Sequence, residues 1–143
     1  MKLKMLKKLL LLFAIITLNF CGYSQTLKKI IVIENKYQEC LDSGIGMKNC
    51  AINFYSTSDS LLNVAYKNYK IKLNASEQNK LKSEQKIWLK KRDNYFKKAY
   101  KETVEEYGNE SESNDFKMIL FDKKANYVLL RVKELIIRIN KIK

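Results

Sequence analysis

The chain has 143 residues, 46% apolar and 11% aromatic, which suits one domain with a packed core and excludes a disordered chain. It carries 28 lysines and arginines against 15 acids, a formal net charge of +13. The absence of histidine excludes Ser-His-Asp and Cys-His catalysis and removes the commonest metal ligand. The absence of proline and the presence of only four glycines favour long helices.

Lys2, Lys4, Lys7 and Lys8 form a basic start, and Leu9 to Phe20 form an apolar run too short to span a bilayer. Together they read as a signal peptide over residues 1–24, followed by a single domain over 25–143. Cleavage after Ser24 would leave Gln25 as the first residue. A lipoprotein cysteine at Cys21 and an uncleaved anchor are the alternatives, and the bulky Phe20 fits lipidation poorly. The expected location is periplasmic or secreted. Without residues 1–24 the chain keeps 24 basic and 15 acidic side chains, a net charge of +9. Such a charge can attract nucleic acid, anionic lipid or an acidic polymer. Lysine outnumbers arginine 25 to 3, however, and no RNP-like or zinc-finger spacing supports nucleic acid as the partner.

Ile30, Ile31, Ile33 and Tyr37 are compatible with a short helix over 26–39, although Ile30 to Ile33 could also be a strand. Gly44 and Gly46 mark a loop between Cys40 and Cys50, with Asn49 a fair N-cap for the next helix. In an exported chain these cysteines read as a disulfide, whose closed loop of about 11 residues would contribute about 2.5–3 kcal/mol. Two cysteines without histidine are too few for a metal site. The second helix is expected from Ala51 to about Asn74 on Tyr55, Leu62, Ala65, Tyr66, Tyr69 and Leu73.

Ser76 is a candidate N-cap for a third helix running to about Tyr107. Leu81, Trp88, Tyr95 and Ala99 share one stripe of that helix, and Arg92 shares it with them. An arginine in an apolar seam needs a carboxylate, so Arg92 is expected to be buried against Asp59 or Glu134. On the opposite side Lys82, Lys86, Lys90, Lys97 and Lys101 form a basic ridge, read first as a solvated face. Gly108 to Asp115 is the most polar stretch and reads as a loop. From Phe116 onward, Met118, Phe121, Ala125, Val128, Val132, Leu135, Ile139 and Ile142 make a seam of heptad spacing. A free-standing coiled coil is the alternative to a bundle. The expected fold is all-α: a small antiparallel helical bundle of three long helices plus a short N-terminal helix, with one disulfide.

The order Cys40, Cys50, Asp59-x-x-Leu62-Asn63-x-x-Tyr66, Gln85-x-x-Trp88-x-x-Arg92-Asp93 and Arg131-x-x-Glu134 resembles the LprI-type lysozyme inhibitor family over about residues 37–136. The resemblance implies a small, exported helical domain and makes these residues its structural motif. The family commonly has a second cysteine pair, absent here; Phe96 stands near one position and Met118 to Phe121 near the other. The threonine usual before the last arginine is also missing, with Val128 near its place.

No Gly-rich phosphate loop or carboxylate-rich calcium loop is present, so no cofactor or metal is expected, and a binding protein is expected over an enzyme. The resemblance implies lysozyme or another envelope protein as partner. A lysozyme of basic type would be repelled by a net charge of +9. Its contact is therefore expected at the acidic concentration of Glu105, Glu106, Glu110, Glu112 and Asp115. The alternative is an envelope-associated structural protein whose lysine ridge meets anionic lipid or polysaccharide. Oligomeric state is left open.

Overall fold

The segment read as helix or strand is helical: in the computed structural model, which describes residues 28–108 and 113–142, α1 covers 28–42. It is followed by α2 (Met47–Lys70), α3 (Ala75–Tyr107) and α4 (Asn114–Lys141). No strand occurs among the described residues. The expected all-α bundle, with three long helices and a shorter first one, is what the chain forms. Residues 1–24, Gln25, Glu110 and Glu112 lie outside the described residues.

Helix boundaries moved where backbone chemistry outweighed side-chain pattern. α2 starts four residues earlier than its apolar period suggested, because Gly46 takes a left-handed φ of 65° and serves as N-cap in place of Asn49. Gly44 has φ 69°, so the whole turn depends on glycine. The disulfide closes across it: Cys40 and Cys50 are bonded with Cα atoms 5.9 Å apart. α3 is capped by Asn74, not Ser76. The Asn74 side chain accepts from the Glu77 N–H, and Glu77 accepts in return from the Asn74 N–H, a reciprocal capping box. At α4 the Ser113 hydroxyl accepts from Phe116 N–H, and the helix starts at Asn114, two residues upstream of the expected Phe116.

α4 is the central element, packed against both α2 and α3. Its buried side chains are Phe116, Leu120, Ala125, Val128, Leu129, Arg131, Val132, Leu135 and Ile136. The expected seam holds in the middle of the helix. At its ends Met118 and Phe121 are half-buried and Ile142 is exposed, while Phe116 and Leu120 carry the burial. α1 adds Ile30 to the main core, stacks Tyr37 on Phe54 with ring centroids 4.2 Å apart, and pairs Glu34 with Lys133 of α4. Burial, then the charge and hydrogen bond of Asp122, hold the Tyr37 phenol well above its usual range. α3 buries only Leu81, Ala99 and Thr103. Ala99 packs with Phe116 and Leu120 in a second small cluster that fixes the outer half of α3 to the start of α4.

Candidate functional site

The buried arginine of this fold is Arg131, on α4, with a side chain 3% exposed. Its Nη1 donates to Glu134 at 2.8 Å, and its Nη2 lies 2.8 Å from Glu84. Its Nε and Nη2 both donate to Gln85 Oε1, at 3.3 and 3.2 Å. Arg138, seven positions on and so on the same face, donates to Glu84, to the Tyr69 hydroxyl at 3.2 Å and to Glu134 at 3.5 Å. Two arginines and two carboxylates thus tie α3 to α4, with Tyr69 bringing in α2.

The hydrogen bond from Arg138 holds the Glu84 carboxyl below its usual value of 4.5; burial opposes this, and Arg131 reinforces it. A carboxyl with a depressed folded-state pKa contributes stability that is present above the unfolded value and lost as pH falls through the folded one. Unfolding titrations should therefore show stability falling as the pH drops below about 4.5, with a smaller fall in Glu84→Gln. An identical acid profile in that variant would remove Glu84 from the account.

Arg92 differs from expectation. Neither Asp59 nor Glu134 is its partner: it donates to Asp93, the next residue, from Nε at 3.0 Å and Nη2 at 2.8 Å. Its side chain is 23% exposed. The stem follows the seam while the guanidinium passes Trp88 and Phe96, 5.8 and 5.6 Å from the ring centroids, and reaches the surface. Trp88 also lies 6.0 Å from the Arg131 guanidinium and 6.0 Å from the Tyr127 ring.

The remaining motif residues meet at a groove between α2 and α3. Asp59, Leu62, Asn63 and Tyr66 line it from α2, and Lys82, Gln85, Lys86, Leu89 and Arg92 line it from α3. Its volume is about 330 Å³, at the lower end of the range of small-molecule sites. The short connection between the helices makes them antiparallel, so Asp59 lies level with Arg92 and Tyr66 lies toward Lys82 and Gln85. Lys82 and Lys86 are exposed, as is the rest of the ridge at Lys90, Lys97 and Lys101.

Near the expected second cysteine pair, aromatic packing joins the helices. Tyr55 of α2 lies 5.9 Å from Phe96 and 5.7 Å from Phe121, centroid to centroid. The Lys124 ammonium sits 5.3 and 5.1 Å from the same two rings, and burial lowers its pKa. At the far end of the bundle, Glu105, Glu106 and Asp115 are exposed around Tyr107. Desolvation at the helix end, then the charges of Glu106 and Asp115, raise the Tyr107 phenol. Glu106 also pairs loosely with Lys123, at 3.7 Å.

Gln85, Trp88, Arg131 and Glu134 belong to the sequence motif; Glu84 and Arg138 do not, and Tyr69 stood out only as an apolar position of α2. The spacing of seven between Arg131 and Arg138 was the available signal. No helix among the described residues is long and apolar enough to cross a membrane, and no cluster among them could hold a metal ion.

These features define a disulfide-bonded, all-α helical domain. The chain belongs to the LprI family: the family model described as Lysozyme inhibitor LprI matches residues 38–135. No curated protein and no solved structure matches the chain.

Proposed function

We propose that this protein is an exported inhibitor of a basic lysozyme, acting by protein–protein contact at the tip where α3 passes into α4. Family membership supports the activity class. The basic start and apolar run of residues 1–24 support export, and so does the Cys40–Cys50 bond, which persists in oxidising compartments. The observation that carries the contact is the exposed group of Glu105, Glu106 and Asp115 beside Tyr107. It offers a cationic partner an acidic and aromatic surface on an otherwise basic molecule. Glu110 and Glu112, which join α3 to α4 in the sequence, add to that charge.

Lysozyme activity should fall on titration with micromolar parent protein. Glu105→Lys combined with Glu106→Lys should weaken inhibition by about tenfold through slower association, more so at low salt. The melting temperature should hardly change, because Glu105 and Glu106 are exposed and the Glu106–Lys123 contact is long, at 3.7 Å. Absence of inhibition by the parent removes the lysozyme reading. Full inhibition by the double variant moves the contact away from this tip.

A further inference from the structure

We propose that the groove between α2 and α3 is a binding site for a saccharide bearing a carboxylate. This stands independently of the lysozyme reading, which uses the opposite charge at a different place. The groove is asymmetric. At one end Lys82 and Lys86 are exposed, and among the described residues neither has a carboxylate within ion-pair distance. At the other end Asp59 stands level with Arg92, whose guanidinium is already held by Asp93 at 2.8 Å. A polyphosphate or other multiply charged anion would meet Asp59 and find no arginine fork free to grip it. A ligand with one anionic end and an uncharged, hydroxyl-rich body suits both ends.

The middle of the groove fits such a body. Leu62, Leu89 and the Tyr66 ring supply an apolar floor for the C–H face of a sugar. Gln85 is pre-set for donation: its Oε1 is taken by Arg131 Nε and Nη2, and its amide nitrogen has no protein partner among the described residues. Arg131 is thus a positioning residue, acting on the groove through Gln85. Asn63 is fixed at the same wall by a hydrogen bond from its Nδ2 to Asp59 O, 3.1 Å.

The test is calorimetric titration of the intact protein with cellobiouronate, a disaccharide with a single carboxylate at one end, at physiological salt, followed in parallel by fluorescence. Trp88 is the sole tryptophan and sits 5.8 Å from Arg92 at the groove edge. Cellobiouronate should bind saturably, and its methyl ester, which keeps the skeleton and removes the charge, should bind at least about tenfold more weakly. Lys82→Gln with Lys86→Gln should abolish binding. Gln85→Glu keeps an acceptor for Arg131, so it should keep the melting temperature while weakening binding by about tenfold or more. Lys97→Gln with Lys101→Gln removes the same charge elsewhere on α3 and should leave affinity within about twofold. Absence of saturable binding by the parent overturns the proposal. Equal affinity for the ester overturns it, and so does an equal loss in the Lys97 and Lys101 variant, which would show diffuse attraction only.

Discussion

Arg131→Ala is expected to destabilise the protein by about 3 kcal/mol, the lower end of the range for breaking a buried ion pair. The side chain is 3% exposed, and its loss leaves Glu84 and Glu134 to share Arg138 and leaves Gln85 Oε1 without its donor. Those carboxylates are 39% and 50% exposed and can turn toward water, which keeps the cost from rising further. Arg131→Lys should also be costly, since one ammonium cannot serve Glu84, Glu134 and Gln85 together. Arg92→Ala is the contrast: its pair with Asp93 is a surface pair, worth under about 1 kcal/mol. Denaturant unfolding of the three variants checks this. Equal losses at Arg92 and Arg131 would contradict the assignment of Arg131 as the buried charge.

Removing the disulfide by Cys40→Ala with Cys50→Ala should cost about 2.5–3 kcal/mol, from the entropy of the loop it closes in the unfolded chain. The bond also fixes the angle at which α1 meets α2, so the Tyr37–Phe54 stack should loosen with it. Protein purified without reductant should show no reactive thiol from either residue. Two labelled cysteines at these positions would refute the bond in the native protein, and an unchanged unfolding midpoint in the double variant would refute its contribution.

The architecture was legible because each long helix carries an apolar period, and little in the chain competes with helix. The exact starts were not. Gly46 and Asn74 act through backbone conformation and reciprocal hydrogen bonds, which apolar spacing does not register. The arginine assignment failed for a related reason. Helical phase puts Arg92 on the Trp88 stripe, but phase places a Cβ and not the end of a long flexible side chain. Arg131 belonged to the recognised motif, yet its burial depends on how α4 crosses α3, a property of two helices that neither sequence states alone. The groove was hidden in the same way, since half its wall comes from each of two helices. Its residues had nonetheless been singled out by the pattern Asp59, Leu62, Asn63, Tyr66, Gln85 and Arg92.

The central position of α4 sets the order in which the molecule can assemble. Glu34 meets its partner Lys133 across 99 positions, Tyr69 meets Arg138 across 69, and Gln85 meets Arg131 across 46. Closing such separations costs chain entropy before any contact compensates for it. A chain made from its N-terminus therefore holds only the α1–α2 contacts of its core until the fourth helix arrives. During that interval Ile30, Leu61, Leu62, Ala65 and Leu81, which end in the main core, have lost their covering helix. That exposed set is the surface a chaperone would meet first, and it vanishes only when the fourth helix docks.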